Sequence, residues 1–194
     1  MIKESLNHSN QSALGKSEER RRLRALRRTH EPSASEAAEL VARVMRVVER
    51  TGVASVGLFQ PISGEPDIVD ELFERLLSRG VRVGLPSVDY ATDVMTYVEW
   101  TPSSRFEKDR YGIPTPEGAE AFEPELMVVP CLGFAEEGFR LGYGKGYFDR
   151  YLTGRRSPVV TLGVAYEAFK VDASIFEMHD VPLMIVVTES ATYA

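Results

Sequence analysis

The feature that most constrains this chain is a run of alternating glycines at Gly142, Gly144 and Gly146. It follows residues 126–130, an apolar segment that predicts a buried strand. Glycines let the backbone adopt positive φ angles and approach a ligand closely, and successive N–H groups in such a turn form an anion-binding concavity. A helix beginning at about Lys145 would add the positive end of its dipole. The run therefore predicts a phosphate-binding loop at the end of a strand.

Charged residues flank this loop. Arg140 precedes the glycines, Lys145 lies among them and Asp149 follows, so the segment offers two cations for phosphate and one carboxylate for Mg²⁺. Two common nucleotide motifs do not fit: Gly146 stands where a Walker A loop needs a hydroxyl, and Tyr147 stands where a dinucleotide fingerprint needs a third glycine. The alternative is a structural turn in which Lys145 and Asp149 form a surface ion pair.

Composition excludes several classes of protein. The 194 residues carry a formal net charge of −6, which argues against a general nucleic-acid binder, and the single cysteine fits a reducing compartment. No apolar run is long enough to span a membrane, and the polar first fifteen residues lack the apolar core of a secretory signal. We therefore expect a disordered tail over residues 1–15, one domain over residues 16–194, and a cytoplasmic monomer.

Hydrophobic patterns alternate along the chain between strands and amphipathic helices. The predicted helices cover residues 16–29, 34–50, 67–79 and 145–152, and the predicted strands cover residues 53–59, 81–85, 94–100, 126–130, 159–165 and 184–188. Strand–helix–strand crossovers make parallel sheets, so the pattern predicts a single α/β domain with a largely parallel central sheet flanked by helices. Ligands of such sheets bind at the carboxyl ends of strands, where both Glu65 and the glycine run fall.

A basic segment near the N-terminus is the second concentration of positive charge. Residues 16–28 contain seven of the 23 Lys and Arg residues. On a helix, Arg20 and Arg24 lie four residues apart on one face and could hold one anionic group together. Lys16 and Arg20 have the same spacing, so both pairs remain candidates. The alternative is a solvated helix face that binds nothing.

These motifs, taken together, resemble those of the 5-formyltetrahydrofolate cyclo-ligase family, also called methenyltetrahydrofolate synthetases. The resemblance is carried by residues 128–149, which match a strand ending in proline and then Gly-x-Arg-Leu-Gly-x-Gly-x-Gly followed by two aromatics and Asp. Four further segments are similar to family elements in the same order, namely residues 20–24, 59–65, 111–116 and 179–189. The resemblance spans about residues 16 to 190, nearly the whole predicted domain.

The resemblance implies conversion of 5-formyltetrahydrofolate to 5,10-methenyltetrahydrofolate with ATP and Mg²⁺. It implies that ATP is bound by the basic helix and the loop, at Lys16, Arg20, Arg24, Arg140, Leu141, Gly142, Tyr143, Gly144, Lys145, Gly146, Tyr147 and Phe148. It implies a folate site with Glu65 as hydrogen-bond acceptor, and the candidate lining residues are Phe59, Glu65, Met95, Trp100, Tyr143 and Tyr147. It implies Mg²⁺ on Asp149 and Asp180, with Lys145 and Arg140 as the catalytic cations.

Three other functions compete with this one. A paralogue could use the same phosphate loop for another ATP-dependent ring closure and differ around Glu65 and residues 95–100. A non-catalytic module could bind ATP or folate without turnover, although Arg140, Lys145, Asp149 and Asp180 are all present. A nucleic-acid protein could use the basic helix, but the net charge of −6 weakens that alternative.

Overall fold

The computed structural model describes residues 2–155 and 157–194, with side chains from residue 15 onward. Its helices are α1 (Ile2–Arg27), α2 (Ala34–Thr51), α3 (Val69–Leu77) and α4 (Tyr147–Gly154), with short 3₁₀ turns at Glu167–Phe169 and Ala173–Ile175. Helix α1 includes most of the segment that is predicted to be a disordered tail. The side chains of residues 1–14 lie outside the described residues, so the predicted disorder there stays a prediction.

An eight-stranded sheet forms the centre of the described chain. Its strands are β1 (Ser55–Gly57), β2 (Arg82–Asp89), β3 (Val94–Trp100), β6 (Ala121–Phe122), β7 (Leu126–Pro130), β10 (Val160–Val164), β11 (Ile185–Val187) and β12 (Thr192–Tyr193). Two small hairpins lie outside it, one from β4 (Phe106–Lys108) and β5 (Pro114–Pro116), the other from β8 (Gly133–Phe134) and β9 (Arg140–Leu141). The sequence patterns predict neither hairpin.

The strand order is β12-β11-β10-β7-β1-β2-β3-β6. The five strands from β11 to β2 run parallel, whereas β12, β3 and β6 pair antiparallel at the two edges. The predicted α/β fold with a largely parallel central sheet is therefore confirmed. Because β7 lies between β10 and β1, its carboxyl end opens at the middle of the sheet, and the glycine run follows it.

The side chains of β7 are buried, as its central position in the sheet requires. Leu126, Met127, Val128 and Val129 are all fully buried, as expected of a strand covered on both faces. Helix α2 packs its apolar stripe on the same core and is fixed at both ends. A capping box joins Ser33 to Glu36 at its start, and a left-handed Gly52 ends it.

Candidate active site

The glycine run forms an open loop between β9 and α4. Gly144 and Gly146 have φ angles of +90° and +68°, which L-residues with a side chain rarely adopt. Helix α4 begins at Tyr147 rather than near Lys145, so Lys145 lies in the loop itself. Within the described part of the chain, no N–H group of residues 142–146 donates a hydrogen bond to the protein. Five consecutive backbone donors are thus available to an anion.

Helix α1 lies beside this loop and supplies cations to it. Leu23 is fully buried and fixes the helix on the core. The Arg20 Nε donates to the carbonyl oxygen of Gly142 at 2.9 Å, and the Arg24 Nη2 donates to that of Tyr143 at 3.3 Å. These bonds hold the loop carbonyls toward the helix. The structure therefore brings both members of one predicted basic pair to the loop.

Lys16 and Arg140 each form an ion pair with a predicted metal ligand. The Lys16 Nζ lies 2.5 Å from Asp180 Oδ2 and 3.3 Å from Glu177 Oε2. Arg140 pairs with Asp149 through Nη2 and Oδ1. Lys16 thus lies at the site as well. It contacts carboxylates, whereas Arg20 and Arg24 contact the loop, so both candidate pairs of the basic helix remain possible.

The charged side chains beside the loop change one another's pKa values. Burial alone would raise the pKa of Asp180, but the Glu177 N–H and Lys16 outweigh it and hold that pKa below its ordinary value. Burial, followed by the positive charge of Arg24, lowers the pKa of Arg20, and Asp180 partly offsets both. Arg20 and Arg24 form no ion pair among the described residues, so their charges are available to a bound anion.

Glu65 and Arg27 form the buried part of the site. Their side chains are 3% and 2% exposed, and 3.9 Å separates Arg27 Nη1 from Glu65 Oε1. The other carboxylate oxygen of Glu65 accepts the Ile62 N–H at 3.0 Å. Burial raises the pKa of Glu65 to about 7, against the opposing effects of that N–H and of Arg27. A buried acceptor of this kind suits a neutral heterocycle with N–H donors.

The other predicted substrate residues divide between the site and the core. Tyr143 lies over Arg27 and accepts its Nη1 hydrogen bond at 2.8 Å, while Tyr147 donates its hydroxyl to Asp93 at 2.9 Å. Phe59 and Met95 are buried in the core near the carboxyl ends of β1 and β2.

Trp100 does not reach this site, and we leave it out of the proposed substrate set. It pairs with Val83 near the start of β2, whereas Val94 pairs with Asp89 at the end where the site lies. The six residue-to-residue steps from Val83 to Asp89 span roughly 20 Å of strand. Trp100 instead stacks on Phe73, with ring centroids 3.8 Å apart. The antiparallel direction of β3 carries its last residue away from the site.

Carboxylates at this edge are candidates for holding Mg²⁺. Asp149 and Asp180 supply the hard oxygen ligands that Mg²⁺ prefers, so the donor set fits this ion. The described contacts show each carboxylate with its own cation rather than with the other. Ligand atoms of Glu177, His179 and Asp180 also lie within 4.8 Å of one another. Glu177 is thus a further acidic group at the site, and no sequence motif singles it out.

Arg27 is the other residue that sequence reasoning misses. The signal was available: Lys16, Arg20, Leu23 and Arg27 follow the spacing i, i+4, i+7 and i+11, which places them on one face of α1. Leu23 marks that face as buried. Arg27 lies one turn after Leu23 on this face and is buried, whereas Arg21, Arg22 and Arg28 are exposed.

Fold and site together define an α/β protein with a glycine loop of N–H donors that are free among the described residues and a buried carboxylate at the carboxyl end of a parallel sheet. A sequence model of the 5-formyltetrahydrofolate cyclo-ligase family matches residues 12–189. The chain therefore belongs to the 5-formyltetrahydrofolate cyclo-ligase family, a family of ligases. In the described part of the chain, no helix is long and apolar enough to cross a membrane.

Individual relatives agree with this assignment over most of their length. The 5-formyltetrahydrofolate cyclo-ligase of Escherichia coli K12 is 28% identical over 181 residues, covering 90% of this chain and 98% of the relative. The enzyme of that name from Mycoplasma pneumoniae is 28% identical over 140 residues, covering 71% and 74%. The solved structure of Aquifex aeolicus 5,10-methenyltetrahydrofolate synthetase superposes with a TM-score of 0.78 at 27% identity, covering 91% of both chains.

Proposed function

We propose that this protein converts 5-formyltetrahydrofolate to 5,10-methenyltetrahydrofolate with ATP and Mg²⁺, releasing ADP and phosphate. The observation that carries the proposal is the loop at residues 142–146, whose N–H groups donate to no described residue and which lies beside Arg20, Arg24 and Arg140. The buried acceptor Glu65 lies near the same loop, since Arg27 contacts both Glu65 and Tyr143. Relatives bearing the name of this activity cover nearly all of the chain.

The proposed reaction has two bond-forming steps. The formyl oxygen attacks the γ-phosphorus of ATP and ADP departs; N10 of the folate then attacks the activated carbon, loses its proton and expels phosphate. Catalysis of phosphoryl transfer is mainly positioning and neutralisation of charge. The loop N–H groups hold the phosphates, and Arg140 and the exposed Lys145 neutralise charge on the transferred group. Bound Mg²⁺ on Asp149 and Asp180 would neutralise further phosphate charge.

The folate half of the proposal depends on Glu65 and two aromatic side chains. The Glu65 carboxylate is buried and so has little contact with water. N–H groups of the pterin ring donate hydrogen bonds to it in place of water. Tyr143 and Tyr147 present rings at the loop and can stack on planar groups. The predicted monomeric state and cytoplasmic location stay predictions.

Formation of methenyltetrahydrofolate tests this function. Its absorbance should appear when protein, 5-formyltetrahydrofolate, ATP and Mg²⁺ are mixed, and should be absent when ATP is omitted or replaced by a non-hydrolysable analogue. Binding of nucleotide and folate without any product would contradict the proposal and favour a non-catalytic module. ATP consumption with a different folate substrate would favour the paralogue.

The two ion pairs at the site predict how metal binds. Lys16 neutralises Asp180 and Arg140 neutralises Asp149, so Mg²⁺ alone would have to displace both cations from these carboxylates. Bound phosphates would offer the displaced cations new anionic partners. We expect divalent metal to bind at least about tenfold more tightly with nucleotide than without it, beyond its affinity for free nucleotide, because coupling between sites commonly reaches 1–3 kcal/mol.

Titration with Mn²⁺ followed by electron paramagnetic resonance measures this coupling. Protein alone, nucleotide analogue alone and the two together give the three required affinities. Asp180→Asn should remove most of the added affinity, whereas Asp172→Asn, at an exposed carboxylate that caps a 3₁₀ turn, should leave it unchanged. Tight Mn²⁺ binding to the protein without nucleotide would contradict the expected coupling.

A further inference from the structure

Arg27 joins the two halves of the proposed site through a single buried guanidinium. Its Nη1 donates to the Tyr143 hydroxyl at 2.8 Å and lies 3.9 Å from Glu65 Oε1. Its Nη2 donates to the carbonyl oxygen of Cys131, just past the end of β7. One side chain thus contacts the phosphate loop, the turn at residues 62–65 that holds Glu65 (the acidic turn) and the chain just past β7.

The surroundings of Arg27 fix its position. The guanidinium lies 5.0 Å from the ring centroid of Phe169 and 5.8 Å from that of Tyr143. Its backbone lies against the acidic turn, because a Cβ at Gly64 would be 3.2 Å from the carbonyl oxygen of Arg27. A planar group with several donors can serve two acceptors at once, which a lysine ammonium on the same backbone cannot reproduce.

The cost of burying this charge indicates a role beyond stability. Burying an ion is expensive, and hydrophobic side chains of similar volume often stabilise a fold as well. The Arg27 Nε is moreover buried and has no hydrogen-bond partner among the described residues, an arrangement that folded proteins largely avoid. The contacts of Arg27 with Glu65 and Tyr143 offer a reason for this costly burial, because they fix the positions of both side chains.

We propose that Arg27 is a positioning residue that fixes Glu65 for the folate and Tyr143 of the nucleotide loop in one arrangement. This inference rests on the proposed function. Its electrostatic part concerns Glu65, which is faced by Arg27 from α1, the Tyr143 hydroxyl from the loop and the Cys131 thiol from the end of β7. Of these three, only Arg27 favours the ionised form of Glu65, because its positive charge opposes the rise in pKa that burial causes.

Three variants separate the two contacts of Arg27. Arg27→Met removes the charge, so the acidic limb of the pH profile of kcat/KM for the folate should move to higher pH, with kcat/KM falling about tenfold to 10²-fold, as misplaced catalytic groups typically cause. Arg27→Lys keeps a charge, so that limb should stay near its wild-type position while kcat falls. Tyr143→Phe removes only the hydroxyl contact and should raise the KM for ATP with the pH profile unchanged. Arg28→Met, at the exposed neighbour, is the matched control.

The outcomes are distinguishable from failure of the proposed function. If the wild-type protein forms no methenyltetrahydrofolate, the proposed function itself is contradicted. Wild-type turnover combined with unchanged kcat, KM values and pH profile in the folded Arg27 variants would overturn the inference, even if their melting temperatures fall. If Arg27→Met does not fold, Arg27→Lys and Tyr143→Phe carry the test, and their effects on kcat/KM should be less than additive because they disturb one contact.

Discussion

Replacing Lys145 with alanine should lower turnover by about 10² to 10³-fold, the usual effect of removing one fixed group that stabilises transition-state charge. Lys145 is exposed, lies between Gly144 and Gly146, and has no ion-pair partner among the described residues. Its charge is therefore available to the transferred phosphoryl group. The KM values for both substrates should change less than kcat, because this charge matters most in the transition state.

Stability should be nearly unaffected by that substitution. Exposed side chains without partners usually contribute within about 0.5 kcal/mol, so urea unfolding of the variant should match that of the wild type. Lys108→Ala, at an exposed lysine of β4, is a matched loss of one positive charge and should keep full turnover. Normal kcat in Lys145→Ala would remove Lys145 from the mechanism.

Gly138→Ala should produce the largest loss of stability among the motif glycines. Gly138 has a φ of +87°, and a Cβ added there would overlap the carbonyl oxygen of Leu183. The Gly138 carbonyl oxygen also accepts the Leu183 N–H at 2.9 Å, so the two backbones cannot separate without breaking that bond. Backbone strain of this kind costs 1–3 kcal/mol and overpacking a similar amount, so we expect a loss of about 3 kcal/mol or more.

Urea unfolding measures that loss, and Gly154→Ala supplies the control. Gly154 is the last residue of α4, and a Cβ there meets nothing within 4 Å. Its replacement should be neutral or stabilising by up to about 1 kcal/mol, because alanine restricts the unfolded chain more than glycine does. Equal stability of the two variants would contradict the packing role assigned to Gly138.

The roles of these glycines could be predicted from the sequence only in part. The motif predicts an anion loop, and Gly144 and Gly146 have the positive φ angles that such a loop needs. Gly138 looks equivalent in sequence, yet it serves a close contact with a segment that begins some forty residues later. That contact depends on how β8, β9 and the chain before β11 meet, which local patterns do not encode.

Strand direction sets a second limit. The bounds of β3 and β7 follow from their apolar runs and are confirmed at Val94–Trp100 and Leu126–Pro130. Periodicity does not indicate whether a strand runs parallel or antiparallel, so it could not show that Trp100 lies at the far end of the sheet. Arg27 illustrates the same limit on a helix, because its burial depends on what packs against α1.

The fate of the formyl oxygen shows whether this oxygen attacks the γ-phosphorus of ATP. 5-Formyltetrahydrofolate labelled with ¹⁸O in its formyl group is converted with ATP and Mg²⁺, and the released phosphate is analysed by mass spectrometry. If the loop at residues 142–146 places the γ-phosphorus at that oxygen, each phosphate should carry one ¹⁸O for every methenyltetrahydrofolate formed. Unlabelled phosphate would show that ATP is hydrolysed by water and would contradict attack by the formyl oxygen.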